Sequence, residues 1–303
     1  MSQIVPAQKI KTMLTGPKMT QAVLSRLKDK DAANIFVQSL WLSVQRTPEL
    51  LKCTPESLII AGLQAASLNL IVDGHSNYAH IVPYGTQATF VIGYKGIQLR
   101  ATRTKRYVEF ELVPVFKGDE FSYVKGLDPR LEHIPADVDR TWATLTHVYS
   151  IVERADGKKG FHVMTKAEIS KVMEASRASK NGPWVAWPIE MSLKTVAKRH
   201  CKQLNLDPDT MREIIRDDRR EAGEPDPEGA VIDVEASDVA EIVSGAVETA
   251  EAAGTKKAAT KLDKVVEAAK QPAQVAAAAP AVAVEDPPPA QEAAAGDTGR
   301  QLF

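Results

Sequence analysis

The chain has 303 residues, with 38 lysines and arginines against 39 aspartates and glutamates, and its formal net charge of -1 hides a strong asymmetry. Residues 221–303 carry a net charge of -10, whereas residues 1–220 carry +9 and all but one of the aromatic residues. We therefore predict a flexible N-terminal arm over residues 1–18, a globular core over residues 19–220 and an acidic low-complexity tail. The tail is too rich in alanine and proline to bury a core of its own.

The residue content also argues against several classes of protein. Cys53 and Cys201 offer neither a disulfide framework nor a metal-ligand spacing, so both are interpreted as small buried thiols. No segment approaches the ~18 apolar residues of a membrane span, and the N-terminus lacks the apolar core of a signal peptide. A cytoplasmic location is therefore expected. The phosphate-binding loop of ATP-driven strand-exchange proteins is not found in the sequence.

Helices are the first predicted elements of the core. Apolar periodicity predicts helices over residues 19–27 and 32–46. Thr54 followed by Pro55 is typical of an N-cap and a first helical position, and predicts a third helix that continues to about residue 68.

Strands follow these helices. The sequence predicts a β-hairpin over residues 78–92 with a Pro83-Tyr84-Gly85-Thr86 turn. After a helix over residues 94–104, strands are predicted over residues 107–116, 120–124, 141–152 and 160–164.

The last predicted elements are helices again. Thr165 and Glu168 form a capping box that opens a helix to about residue 177. Pro188 opens a long helix to about residue 204, and Pro208 opens a shorter one. This order predicts an α+β fold: an antiparallel β-hairpin sheet packed with helices, including a long basic helix, and followed by a disordered acidic C-terminal tail.

Two predicted helices carry cations on one side. The first follows the turn Gly93-Tyr94-Lys95-Gly96, and no acidic residue occurs between Asp73 and Glu109. In the second, lysines recur every four residues from Lys194, with only Glu190 nearby to compensate them. Like charges at this spacing repel one another, and a solvated face is the ordinary interpretation of a single such run. Two runs in one domain favour a bound polyanion. The candidate DNA-binding residues are Tyr94, Lys95, Arg100, Arg103, Arg106, Lys194, Lys198 and Arg199.

Other groups in the core carry weaker signals. Trp184 and Trp187 are interpreted as core residues that pack the last long helix onto the sheet. His75 and His80 lie near Asp73 without a recognised metal-ligand spacing, and are interpreted as surface or hairpin histidines. Asp119 and Glu120 resemble a nuclease carboxylate pair, but are more simply explained as part of a hairpin turn. The sequence therefore predicts no catalytic residue and no metal site.

The same stretches of sequence resemble the RecT family of phage single-strand annealing proteins. The resemblance covers about residues 38–206 and follows the order of the family. Its blocks are Leu63-Gln64-Ala65-Ala66-Ser67-Leu68, Val82-Pro83-Tyr84-Gly85, Ile92-Gly93-Tyr94-Lys95-Gly96, Gly118-Asp119-Glu120-Phe121, Thr146-His147-Val148-Tyr149, Val163-Met164-Thr165, Asn181-Gly182-Pro183-Trp184-Val185 and Glu190-Met191 with Lys194-Thr195 and Lys198-Arg199.

This resemblance implies an ATP-independent protein that binds single-stranded DNA in a narrow basic groove and anneals it to a complementary strand in a bacterial host cell. It implies no nucleotide cofactor, with Mg²⁺ as a modulator of DNA binding. It also implies a homo-oligomer, as a ring or helical filament. Candidate partners are a 5′–3′ exonuclease and a host single-strand-binding protein.

Two other functions stay open at this point. One is a DNA-binding protein that protects single strands and opposes pairing, which would expose many aromatic residues. The other is a metal-dependent nuclease, which would need converging carboxylates. The acidic tail is expected to compete weakly with DNA for the basic core, and its apolar tip at Leu302 and Phe303 is a candidate docking segment.

Overall fold

The computed structural model describes residues 7–177, 179–180, 182–224 and 237–245. Its N-terminal part is a bundle of four helices and one 3-10 turn: α1 (Ala7–Thr15), α2 (Pro17–Leu27), α3 (Lys30–Arg46), the turn Pro48–Lys52 and α4 (Pro55–Ser67). Side-chain caps start two of these helices, since Asp29 accepts a hydrogen bond from the Ala32 amide and Thr54 accepts one from the Ser57 amide. The predictions for α2, α3 and α4 are confirmed.

The structure differs from the predicted N-terminal arm. Ile10, Met13 and Leu14 of α1 are buried, and Ile10 and Leu14 belong to the main helical core. The prediction of a flexible arm is therefore wrong from residue 7 onward. The arm prediction failed because α1 has only nine residues, so its buried apolar stripe is three residues long.

Three antiparallel sheets follow the bundle, and their strands are β1 (Ala79–Tyr84), β2 (Gln87–Ile92), β3 (Tyr107–Phe116), β4 (Glu120–Val124), β5 (Arg130–Ile134), β6 (Leu145–Arg154) and β7 (Lys159–Thr165). Strands β1 and β2 form the predicted hairpin, and β4 pairs with β5. The third sheet has the order β3-β6-β7. Strand β5 was not predicted, because its polar residues are half or fully exposed and give no apolar alternation.

The remaining helices are α5 (Tyr94–Arg103), α6 (Lys166–Ala175), α7 (Pro183–Ala186), α8 (Pro188–Cys201) and α9 (Pro208–Ala222). The predicted capping box of α6 is present, with Thr165 and Glu168 bonded reciprocally. Helix α9 has 15 residues and α8 has 14, so the prediction of a shorter last helix is wrong. The α+β class with antiparallel sheets is confirmed.

The described residues bury two large cores. The helical core joins α1 to α5 and the β1–β2 hairpin, and includes Ala197 and Cys201 of α8. The sheet core lies between the β3-β6-β7 sheet and helices α6 to α8, and includes Leu193 and Val196 of the same helix. Helix α8 therefore belongs to both cores, which fixes its position and its rotation about its own axis.

Part of the acidic tail is also described. Residues 237–245 form a helix in which Ile242 is buried in the helical core, and Asp238 pairs with Arg26 at 3.2 Å. The remainder of the tail predicted to be disordered, residues 225–236 and 246–303, lies outside the described residues. A cut directly after α9 would remove an apolar contact of the core.

Candidate nucleic-acid interface

Helix α8 carries the predicted cations between its two buried faces. Because Leu193 and Val196 face the sheet core while Ala197 and Cys201 face the helical core, Lys194 and Lys198 project on a third side. This third side is covered by helix α9. The side chain of Lys194 is 9% exposed and that of Lys198 is 3% exposed.

Three carboxylates of α9 hold these two lysines. The Lys194 Nζ lies 2.8 Å from an Asp217 oxygen and 3.3 Å from a Glu221 oxygen. The Lys198 Nζ lies 2.6 Å from Glu221, 2.8 Å from Asp218 and 3.2 Å from Asp217. Lys202, one turn further on, also pairs with Asp218. The premise that this helix lacks acidic partners is therefore wrong, because the partners lie on the next helix in the chain.

The ion pairs stabilise the charged forms of Lys198 and Asp217. Burial alone would lower the pKa of Lys198, but the carboxylates of Asp217, Glu221 and Asp218 outweigh it and raise that pKa above its ordinary value. Burial would likewise raise the pKa of Asp217, but the neighbouring ammonium groups of Lys194 and Lys198 hold it well below its usual range. The charges compensate one another inside the protein.

Three cations of α5 and the loop after it, Arg100, Arg103 and Arg106, have structural partners instead. Arg100 pairs with Asp207 at 2.8 Å and donates to Thr210, which ties α5 to the start of α9. Arg103 donates to the Asn69 carbonyl oxygen at 2.7 Å, and Arg106 donates to the Asn205 carbonyl oxygen at 3.0 Å. Lys95 is exposed, with no ion pair or side-chain hydrogen bond to the described residues. A DNA contact by these four residues stays a prediction.

The glycines beside Tyr94 serve backbone packing. A Cβ atom on Gly93 would lie 2.1 Å from the Asn77 carbonyl oxygen, and one on Gly96 would lie 2.1 Å from the Tyr78 carbonyl oxygen. The space that glycine provides at both positions is therefore filled by the chain that precedes β1.

A first cavity of about 790 Å³ lies between the β1–β2 hairpin and the start of α8. Tyr84 and Trp187 stand at it, 54% and 64% exposed, and Tyr94 lines it half-buried. Lys194 also contributes to its wall. Trp184 is 1% exposed within the sheet core, so its predicted core position is confirmed. The same prediction is wrong for Trp187, whose side chain is exposed just before α8.

A second cavity of about 710 Å³ lies between α6, α8 and α9. Four exposed cations line it, and none has an ion pair or side-chain hydrogen bond to the described residues: Lys125, Lys171, Arg199 and Arg219. His162 lies among them, and its pKa is lowered by burial and by the charges of Lys125 and Arg199. The carboxylates of Glu168, Asp218, Glu221 and Glu224 line the same cavity, so these four cations, unpaired within the described chain, have acidic groups nearby.

The structure therefore divides the predicted site residues. Tyr94 and Lys194 line the first cavity, Lys198 and Arg199 line the second, and Arg100, Arg103 and Arg106 anchor loops. Lys125, Lys171 and Arg219 are not among the residues predicted from the sequence. Lys125 follows β4, Lys171 lies in α6 and Arg219 lies in α9, and only Arg219 is in a charged run that could have indicated it.

The structure also shows the surroundings of Asp119, which the sequence offered as part of a nuclease carboxylate pair or of a hairpin turn. The buried carboxylate of Asp119 accepts hydrogen bonds from the amides of Phe116 and Ala136 and pairs with His133, and these contacts lower its pKa to about 2 against the cost of burial. Asp119 thus stabilises the turn, as the simpler interpretation predicts. Within the described ranges, no group of three or more His, Cys, Asp or Glu side chains is arranged to hold a metal ion. None of the described helices has both the length and the apolar character that crossing a membrane requires.

Exposed cations and aromatic rings around two cavities beside one helix are features that nucleic-acid-binding proteins commonly have. The RecT family model matches residues 34–229, and the chain belongs to this family of single-strand annealing proteins of DNA recombination. It is 29% identical over 216 residues to Protein RecT of Escherichia coli strain K12, covering 69% of this chain and 80% of that protein. It is 30% identical over 198 residues to the uncharacterized protein YqaK of Bacillus subtilis strain 168, covering 64% and 68% respectively.

Proposed function

We propose that the chain binds single-stranded DNA along α8 and anneals it to a complementary strand without nucleotide hydrolysis. The observation that carries this proposal is the convergence of unpaired cations and exposed aromatic rings on the two cavities beside this helix. Arg199 and Lys171 supply charge in the second cavity, and Tyr84 and Trp187 supply ring surface in the first.

The mechanism follows from the polyelectrolyte character of DNA. Cations that neutralise phosphates release counterions and reduce the repulsion between two strands. Contacts to the backbone position a strand but carry no sequence information, so the specificity of annealing comes from base pairing itself. The chain then needs no catalytic residue and no nucleotide cofactor. Mg²⁺ modulates binding as a counterion that competes for the same phosphates.

A protector of single strands is the second candidate function. It is favoured by the exposure of Tyr84 and Trp187, because bases stacked on aromatic rings are withheld from a complementary strand. The two functions predict opposite effects on pairing. An annealing protein accelerates duplex formation, whereas a protector slows it.

Assembly and partners extend the proposal. A DNA strand is longer than the groove of one subunit, so we propose a homo-oligomer, as a ring or helical filament, that places many α8 helices along one strand. A 5′–3′ exonuclease that exposes the strand, or a host single-strand-binding protein, is the proposed partner. The tail tip at Phe303, the candidate for that docking, lies outside the described residues.

Mixing two complementary labelled oligonucleotides, with protein and without nucleotide, tests the function. We expect the protein to accelerate pairing and to leave the strands at full length. Replacing Arg199 and Lys171 together by alanine should slow pairing and lower the affinity for a single strand. Lys158→Ala is the matched control, because Lys158 is exposed in the β6–β7 turn and lines neither cavity. Slower pairing than in buffer would favour the protector, and strand shortening that a chelator stops would indicate a nuclease.

A further inference from the structure

The last two turns of α9 separate the two cavities beside α8. Ser176 and Glu221 line both cavities, so the cavities meet at this part of the helix. The lysines on either side of it, Lys194 in the first cavity and Lys198 in the second, are both paired with α9 carboxylates. Without these two turns, the aromatic rings of one cavity and the cations of the other would share a single groove.

The two halves of α9 are held by different forces. In the first half, Ile214 is fully buried in the helical core, Thr210 is fully buried and Asp207 caps the helix while pairing with Arg100. Beyond Ile214, no apolar side chain of the helix is buried, and Ile215 is 42% exposed. The second half is held by charges and hydrogen bonds.

The contacts of the second half are the kind that a polyanion competes for. Asp217, Asp218 and Glu221 present carboxylates to ammonium groups on α8, as a phosphate backbone would. Further contacts include the Arg177 amide donating to the Glu221 carbonyl oxygen at 3.1 Å, Arg220 donating to the Phe90 carbonyl oxygen at 3.0 Å, and the pairs of Arg216 and Arg220 with Glu213. Phosphates bound to Lys194 and Lys198 would therefore replace the ion pairs that keep α9 in place.

We propose that residues 215–222 of α9 are an autoinhibitory latch, whose carboxylates occupy phosphate positions on α8 until a DNA backbone displaces them. This inference rests on the proposed function, since it names the regulation of the same site. Displacement joins the two cavities into one groove and adds Lys194 and Lys198 to the cations that contact DNA. The apparent affinity for DNA is lowered by the free energy needed to open the latch, and weakening the latch recovers it.

Neutral isosteres of the latch carboxylates test this proposal in the full-length chain. In the double variant Asp218→Asn with Glu221→Gln, Lys194 and Lys198 each keep Asp217 as a partner. We expect this variant to bind a fluorescent oligothymidylate about tenfold more tightly, which corresponds to ~1.4 kcal/mol. Asp209→Asn is the matched control: it removes one charge from the first turn of the same helix, where Asp209 pairs with Arg212 on the helix surface. The control should bind like the parent.

Hydrogen exchange of the parent protein gives a second readout that does not depend on a variant. Saturating oligothymidylate should speed exchange of the amides at residues 217–222, while the amides around Ile214 stay protected. Unchanged or slower exchange at residues 217–222 in the DNA-bound protein overturns the latch, as does a stable double variant with parental or weaker affinity. A parent protein that binds no oligothymidylate contradicts the proposed function instead.

Discussion

Replacing Lys198 by methionine should destabilise the protein strongly, although lysines on helix surfaces are usually tolerant positions. The Lys198 side chain is 3% exposed and its Nζ lies within 3.2 Å of three carboxylates. Methionine fills a similar volume but removes the cation. Asp217, which is 2% exposed, would then face Asp218 and Glu221 with Lys194 at 2.8 Å and Arg220 at 3.6 Å as its remaining partners.

The magnitude follows from the burial of this network. Removing one member of a buried ion pair costs about 3–5 kcal/mol, because the remaining charge is left uncompensated. In a domain of this size, each 1 kcal/mol lowers the Tm by roughly 2–4 °C, so we expect a loss of about 10 °C. The neighbouring residue supplies a matched control. Arg199 is exposed and unpaired within the described chain, so Arg199→Ala should change stability by less than ~0.5 kcal/mol.

Thermal and urea unfolding, followed by circular dichroism near neutral pH, measure this contrast. The single-strand affinity of Arg199→Ala should fall, and the slope of log affinity against log salt should decrease by up to ~0.7 for the lost phosphate contact. Adding Asp218→Asn to Lys198→Met should restore part of the lost stability, because it removes one of the unpaired carboxylates. If Lys198→Met unfolds at the same temperature as Arg199→Ala, the network does not support the fold and the argument is refuted.

Three further changes have defined outcomes. Trp187→Ala should weaken single-strand binding by ~1–3 kcal/mol for one stacked base with an unchanged Tm, and equal affinity would exclude stacking on Trp187. Gly96→Ala should lower stability by ~3 kcal/mol or more in urea unfolding, since the added Cβ would lie 2.1 Å from the Tyr78 carbonyl oxygen; a parental midpoint would contradict this packing. Burial raises the pKa of Glu213 from 4.5 to about 7, so the folded state binds the proton more tightly and this group costs stability as pH rises through that window. The free energy of unfolding of Glu213→Gln relative to the parent should therefore rise by up to ~3 kcal/mol as the pH increases from 5 to 8. A difference between the two proteins that does not change with pH would refute the raised pKa.

The sequence was most informative where a structure depends on a few neighbouring residues. The capping box of Thr165 and Glu168, the cap at Thr54 and the hairpin turn after Val82 each involve residues within a few positions of one another. Such local signals predicted most helices and strands of the core. Strand β5 escaped prediction because it gives no apolar alternation, although it pairs with the neighbouring strand β4, and helix α1 because only three of its residues are buried.

The candidate site was less predictable for the same physical reason. The lysines of α8 were read as uncompensated, because their partners Asp217 and Glu221 lie about twenty positions further along the chain. A charge pattern within one helix cannot show which other helix will pack on it. The ion pair of Arg100 was missed in the same way, since Asp207 is remote in sequence but adjacent in space.

The double membership of α8 in two cores has a consequence for the shape of the ligand. Val196 is fixed against the sheet core and Ala197 against the helical core, so the helix can neither roll nor slide without disturbing both. The spacing between the charged groups of α8 is therefore fixed, and a bound strand would have to adjust its own backbone torsions to match it. A single strand can do so readily, whereas duplex DNA stays stiff over ~150 base pairs. A helix with fixed charge spacing would therefore select nucleic acids by the flexibility of their backbone, without contacting any base.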